Sequence, residues 1–572
     1  MRTLLRTLLS VALVAATAAP AWSAATITII NLDGAGEGFN DPTPAAPVGG
    51  NAGITVGQQR LNCFQQAASI WGSILTSGVT IQIQAAFNPL SCTATSATLG
   101  SAGPRFVEAN DPSFEFQSYW YHEALACKQA GVDFTVPGVN GLPITDTGAD
   151  INAQFNSNLG NTGCLTGSGW YYGFDHNEGT KIDLLAVLLH EFAHGLGFST
   201  TTSGSTGNYL NGPPALPAVW DQFLYDETTG LHWDENSNVQ RVASAINTGN
   251  LTWDGVEVTY GASLFLSHQA ELVVPYAPGS VLGNAAAFGP ALTPGGITAQ
   301  AIVVVDPVAP ASDGCETPFT NAGALAGKIA VIDRGFCNHT VKVKNAQLAG
   351  ALAVIELNNV AGGFSPGGSD PTITIPTIAL SQADGTALKT AISGGTTIVT
   401  VRTSPTVVAG LHPSGHVRMY SPNPYQGGSS VSHYDISLTP NALMEPAINA
   451  DLTSSVDLTE DLFQDIGWLP HTTGVPGGGP ATRIALTSTP NPAHGPLAVN
   501  FELATDESVE LTLFDVSGRQ IRSLAKGAFP AGRHDVAWDG LDQAGHPAAP
   551  GVYLARLKGP RTRATHHLVL VN

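Results

Sequence analysis

The 572-residue sequence predicts a multidomain chain: an α+β unit interrupted by an α/β insertion, then an all-β sandwich. Three observations carry that expectation. An apolar run from Ile182 to Phe198 holds two histidines four residues apart and suits a buried helix. Between residues 272 and 400, short β-branched runs alternate with a helical stretch, the pattern of a βαβ insertion. Past a Gly/Pro/Thr-rich segment at 470–481, which reads as a linker, residues 482–572 hold short alternating strands.

Taken in order, residues 1–23 have a basic start (Arg2, Arg6), an apolar core and small residues around Ala21-Trp22-Ser23. That is the layout of a signal peptide and implies a secreted or cell-surface protein. No later stretch approaches the ~18 uninterrupted apolar residues that a membrane span needs. Gln58 to Leu75 reads as an amphipathic helix, and Val79–Gln84 and Asp150–Asn156 alternate like strands. His122-Glu123 begins like a second metal motif, but Ala126 occupies the place of the second His, so both are read as surface residues. Residues 24–271 and 401–469 together form the catalytic unit on this reading. It closes with a helix near Thr459–Trp468, with Thr459 as its N-cap.

His190-Glu191-Phe192-Ala193-His194 lies inside the apolar run. Residues four apart share one helical face, so both imidazoles can reach one zinc ion. A carboxylate beside them, Glu191, suits a general base that takes a proton from activated water. Two incidental histidines are the alternative, but a buried helix rarely carries His-Glu and a second His without a partner. Hydrolytic zinc needs a third protein ligand.

Gly197 after His194 resembles the glycine of the metzincin signature, yet Thr200 stands where the compact form has its third His. Far downstream, Gly428-Ser-Ser-Val-Ser-His433 and Asn441-Ala-Leu-Met444-Glu445-Pro446 resemble the third-ligand segment and Met-turn of leishmanolysin-like metzincins. In that family an insertion separates the glycine from the third His. The resemblance implies His433 as third ligand, Met444 as the floor under one catalytic Zn²⁺, and peptide or protein substrates. It also implies that the strand before the zinc helix, here Asp150–Asn156, forms the cleft edge that pairs with an extended substrate.

Within the insertion, strands are expected at Ile302–Val305, Lys328–Ile332, Ala353–Leu357 and Ile375–Leu380, and a helix at Val341–Gly350. Gly327–Gly335, Cys337 and Lys344–Gly350 resemble the protease-associated (PA) domain, a non-catalytic module beside protease active sites. Cys315 and Cys337 suit a disulfide within it, and Asp333-Arg334 reads as a loop-ending ion pair. Six cysteines are an even number and fit an oxidising compartment. Cys63, Cys92, Cys127 and Cys164 then allow three connectivities, of which the sequence neighbours, Cys63–Cys92 and Cys127–Cys164, are preferred.

The net charge of −21 comes without a basic patch and argues against nucleic acid as a partner. A structural Ca²⁺ would suit so acidic a chain, but no Asp-x-Asp-x-Asp-Gly loop supports one. The C-terminal strands, at Leu497–Leu503, Val509–Phe514, Asp535–Trp538 and Gly551–Leu557, are joined by turns expected at Asp515–Arg519 and Trp538–Gly545. This region resembles the Ig-like module of the flagellar hook-capping protein, found at the C-termini of secreted bacterial enzymes; its partner is unidentified. The resulting expectation is a secreted bacterial zinc endopeptidase. The competing class is a non-catalytic surface adhesin, which would have no use for Glu191 as a base.

Overall fold

A computed structural model describes residues 24–138, 141–210, 215–449 and 452–469, and, further on, 486–489, 496–503, 507–515, 519–530, 532–543, 545–549, 551–558 and 563–570. The expected signal peptide and linker lie outside these residues. Two compact units divide at Leu469/Pro470.

The first unit begins with a βαβ unit. Strand β1 (Ile27–Asn31) leads into helix α1 (Val56–Ile74), which returns the chain to β2 (Ile81–Asn88), parallel to β1. Thr55 caps α1 by accepting from the Gln58 amide at 3.2 Å. In β2 the apolar residues Ile81, Ile83, Ala85 and Phe87 alternate inward onto α1 and the zinc-motif helix. The sheet is completed by β3 (Gly100–Pro104) and β4 (Ile151–Asn156) in the order β1-β2-β4-β3.

That order corrects one expectation. The 151–156 strand pairs on both sides, parallel with β2 and antiparallel with β3, so it offers no free edge. The edges are β1 and β3, and the one packed against the helix of residues 184–196 is β3, whose Gly-Ser-Ala-Gly-Pro sequence shows no β-pattern. A parallel pair also carries its C-terminal loops to the same end of the sheet. The loops after β2 and β4 therefore meet, and the disulfide joins Cys92 to Cys164. Cys63, on the inner face of α1, and Cys127 are buried free thiols, so the neighbour pairing is wrong. Helix α2 (Glu123–Ala130) is likewise packed inward: His122 is 5% and Glu123 1% exposed, which overturns their reading as surface residues.

The insertion is a closed seven-stranded barrel, wider than residues 272–400. Its strands are β5 (His268–Val273), β6 (Ser280–Ala285), β7 (Ile297–Val303), β8 (Ile329–Asp333), β9 (Ala353–Leu357), β10 (Thr377–Leu380) and β11 (Ile398–Val408). First and last strands pair antiparallel, and the Ala409 amide donates to the Ser267 carbonyl at 2.9 Å, so the ends of the insertion meet. The parallel strands β8 and β9 are buried on both faces. Ile329, Val331, Ala353 and Ile355 enter one core, while Ala330, Ile332 and Val354 pack in another with Val343 of the 339–348 helix. The Cys315–Cys337 disulfide is present. Asp333 and Arg334 do not pair with each other: Asp333 takes Lys389 at 2.5 Å, and Arg334 donates to Asn358.

Among the described residues, the second unit has two sheets. One comprises Leu486–Thr489, Leu497–Leu503 and Gly532–Trp538. The other comprises Glu507–Asp515, Gln520–Phe529, Gly551–Lys558 and Arg563–Leu570. Alternating residues, among them Leu497, Val499 and Phe501 facing Leu511, Leu513 and Leu557, fill the core. The strands around residues 515–519 do form a hairpin. Those flanking 538–545 belong to different sheets, so that segment is a sheet crossing, not the expected hairpin turn.

Candidate metal centre

Helix α3 (Leu184–Leu196) carries the first two histidines. Asp183 caps it, accepting from the Leu185 amide at 2.8 Å. Every residue of the helix except His194 is buried. Its Leu189 and Leu196 carbonyls accept from the indoles of Trp71 (3.1 Å) and Trp468 (2.7 Å), both fully buried, so the helix is held along its length. Gly197 ends it at φ +130°, a conformation that favours glycine. The turn delivers the Phe198 carbonyl to His194 Nδ1 at 2.8 Å.

His433 arrives from 239 residues beyond His194. Its segment is pinned to the neighbouring chain: the His433 carbonyl accepts from the Tyr420 amide (2.9 Å), and the Tyr434 amide donates to the Met444 carbonyl (2.9 Å). Val431 takes φ +68°, a left-handed conformation that costs a β-branched residue about 1–3 kcal/mol. Around that turn the Ser429 carbonyl meets His433 Nδ1 at 2.8 Å.

The three rings converge. Their Nε2 atoms are 3.2 Å (His190 to His194), 3.2 Å (His194 to His433) and 3.3 Å (His190 to His433) apart. Each Nδ1 faces a backbone carbonyl, which can only accept: Leu443 at 2.8 Å for His190, Phe198 for His194, Ser429 for His433. The proton of each neutral ring is therefore on Nδ1, and three Nε2 lone pairs point at one another. Burial keeps the rings neutral, lowering His190 to about 4, His433 to about 3 and His194 well below its ordinary value. Three unprotonated nitrogens facing each other in a dry site repel unless a cation lies among them. Nitrogens about 2.0–2.1 Å from one tetrahedral zinc are about 3.3–3.4 Å apart, which matches the triangle. The donor set fits zinc.

Glu191, next to the triangle on α3, is 9% exposed. Burial raises its carboxyl to about 8, opposed by the nearby Ala102 backbone of β3. The base therefore lies beside the edge strand β3. Leu443 O, which orients His190, belongs to the Met444 turn; that turn is held by Asp457, whose Oδ2 accepts from the Leu443 amide at 2.5 Å. Met444 itself is fully buried. Asp457 also caps the last helix, Leu458–Asp465, in the role expected of Thr459. Thr200, in the place of a third His, stitches the site instead: its amide meets Ser432 Oγ at 3.3 Å and its hydroxyl Asp221 at 2.6 Å. His122 turns to Ser199 at 3.3 Å, and His412 and His416 pair with Glu227, all three outside the triangle. The Ala102 backbone and the carbonyls of Leu443, Phe198 and Ser429 escape sequence reading because backbone groups leave no residue signature. An Asp457 just before a helix was the one available signal.

Residues 299–388 match the model of the PA domain, and residues 489–562 that of the FlgD Ig-like domain, so the chain carries both modules. Over 78 residues it is 37% identical to the minor extracellular protease Vpr of Bacillus subtilis (strain 168), covering 14% of this chain and 9% of Vpr. Over 81 residues it is 36% identical to signal peptide peptidase-like 2 of Arabidopsis thaliana, covering 14% of each. The chain thus spans only a small part of these relatives. Among solved structures, a zinc aminopeptidase from Bacillus subtilis is 24% identical, with 26% of this chain and 36% of that chain covered and a TM-score of 0.18. FlgD from P. aeruginosa is 22% identical, with 16% and 65% covered and a TM-score of 0.12. Scores this low carry no argument about the chain as a whole. Neither named structure is a leishmanolysin-like metzincin.

Proposed function

We propose that this chain is a secreted, zinc-dependent endopeptidase of the leishmanolysin-like metzincin type, with His190, His194 and His433 as metal ligands and Glu191 as general base. The observation that carries the reading is the triangle of Nε2 lone pairs, each fixed by a carbonyl on Nδ1. Such outer-shell carbonyls are the usual means of orienting a ligating imidazole. Three protein ligands leave a fourth position open, as hydrolytic zinc requires. Bound there, zinc would act as Lewis acid toward a carbonyl oxygen and a water molecule.

The chain's own groups divide the remaining work. Glu191 takes a proton from the attacking water and returns it to the departing amine. The Ala102 backbone of β3 lies beside that carboxylate. The edge strand β3 presents backbone donors and acceptors beside the base, and its small residues let an extended peptide approach; a Cβ at Gly103 would meet nothing within 4 Å. Backbone pairing along an edge accepts a chain that continues in both directions, which favours an endopeptidase. The same residues weigh against an adhesin, because a structural zinc site needs neither an open position nor a base.

The test is metal analysis of the purified chain together with casein digestion, with and without a chelator, on wild type and Glu191→Gln. The amide keeps the shape and loses the basicity. Zinc content should be unchanged while turnover falls about 10²–10⁴-fold, the span of general acid–base catalysis. Wild-type digestion by Glu191→Gln would end the general-base assignment.

A further inference from the structure

A second cluster of possible ligands lies in the barrel, on the segment between β7 and β8. Asp306, Asp313 and Glu316 each place a carboxylate oxygen within 4.8 Å of the others. Asp306 is 2% and Asp313 3% exposed, so two of these charges are out of water. The backbone satisfies part of the group: Asp306 Oδ2 accepts from the Gly314 amide at 2.8 Å, and Asp313 Oδ1 from the Cys315 amide at 3.1 Å. Asp306 Oδ1 is buried and meets no amide, hydroxyl or cationic donor; its neighbour is the Asp313 carboxyl, so the two must share either a proton or a cation. An orphaned, fully buried carboxylate oxygen aimed among other carboxylates is a stronger statement than the clustering, since an unsatisfied charged acceptor is costly.

The local charge balance gives the same direction. The neighbouring buried cation is Lys342, but its Nζ donates to the Asp313 backbone carbonyl and lies 3.5 Å from Cys315 Sγ. The other acids around that lysine, Glu356 and Asp333, have their own partners in His339 and Lys389. Three carboxyl groups beside one ammonium leave negative charge over, which a divalent cation would offset. Burial, with Asp313 and Glu316 nearby, pushes the Asp306 carboxyl up, as expected of a group lacking its counter-ion. Two oxygens bound to one calcium at about 2.3–2.6 Å can be up to about 4.6–5.2 Å apart, so the observed spread is within reach of one ion. The Cys315–Cys337 disulfide anchors the segment beside Glu316.

We infer that Asp306, Asp313 and Glu316 form a calcium site of the PA insertion, with water completing the coordination. The ion clamps the 306–316 loop to the barrel. This site is independent of the zinc reading and stands if that reading fails.

The experiment uses the full chain, zinc-loaded and freed of calcium. Calcium is titrated in by isothermal calorimetry, and thermal unfolding is followed with and without it. Wild type should bind calcium with a dissociation constant on the order of 10⁻⁴–10⁻³ M, the range of extracellular modules, and its unfolding midpoint should rise with calcium. Asp306→Asn should abolish that response while raising the calcium-free midpoint, because it removes one uncompensated buried charge. A purely structural role would lower the midpoint instead. Glu316→Gln, at a partly exposed position, should weaken binding on the order of 10-fold and decides the matter if Asp306→Asn does not fold. Absence of calcium binding in wild type at about 10⁻² M, or wild-type affinity in the variants that fold, overturns the assignment.

Discussion

Replacing His433 by alanine removes one corner of the imidazole triangle and leaves α3 untouched. Zinc sites built from four protein ligands are worth about 10–16 kcal/mol, hence about 2.5–4 kcal/mol per ligand. At 1.4 kcal/mol per tenfold, the loss is about 10²–10³ in zinc affinity. The structure argues for the full value. His433 is 4% exposed and already oriented by the Ser429 carbonyl, so wild type spends little on arranging it, and among the described residues no other histidine joins the cluster. Competition against a chromophoric chelator reads the affinity, and circular dichroism checks the fold. His412→Ala and His416→Ala are the controls. Both rings hydrogen-bond elsewhere, His416 to Glu227 at 2.8 Å, and their removal should leave zinc affinity unchanged. Retention of zinc affinity to within a few-fold by folded His433→Ala would refute the third-ligand assignment. An equal loss in His416→Ala would mean the ligand set was misread.

Two further outcomes follow from the architecture. Because the Ala409 amide meets the Ser267 carbonyl, excising residues 268–408 and joining those two residues through a short Gly/Ser linker should preserve zinc binding and small-peptide hydrolysis. Zinc loss from folded, excised protein would show that the barrel helps to build the metal site. Cys92→Ser opens a 72-residue loop and should cost about 4 kcal/mol in denaturant unfolding, against about 3 kcal/mol for Cys315→Ser, which opens one of 22 residues. Cys63 and Cys127 should resist thiol reagents in the native protein, and both should react once it is denatured without reductant; labelling of Cys92 or Cys164 instead would sink the pairing.

The parts of the site that could be read in advance are those encoded over short distances. His190, Glu191 and His194 are legible because a helix converts a spacing of four into a shared face, and the apolar residues around them announce burial. His433 and the Met444 turn were reached through a resemblance, not through spacing. Where local pattern was silent or ambiguous, the reading failed in identifiable ways. His122 and Glu123 look polar and are buried, because the inward face of α2 depends on what it packs against. The 151–156 strand alternates convincingly, yet alternation reports which residues face the core and says nothing of neighbours. β3, the edge beside Glu191, has almost no side chains with which to signal a strand. Thr459 was a plausible cap two residues too late, and Asp457 does that work while also holding the Leu443 turn.

By itself the sequence determined the chemistry available to this protein: a buried helix with two imidazoles and a carboxylate, an inserted βαβ module and a trailing set of strands. Each of these depends on interactions within a few residues, through helical periodicity, strand alternation or turn residues. Tertiary structure alone decided the strand order, and with it which edge lies beside Glu191 and which cysteines meet. It also brought the Leu443 carbonyl onto the His190 ring across 253 positions, whereas the Phe198 and Ser429 carbonyls reach their rings through local turns of four residues. Those choices rest on backbone hydrogen bonds and on packing between distant segments. Every residue but proline has the same backbone donor and acceptor, so residue type rarely marks in advance which of them will meet.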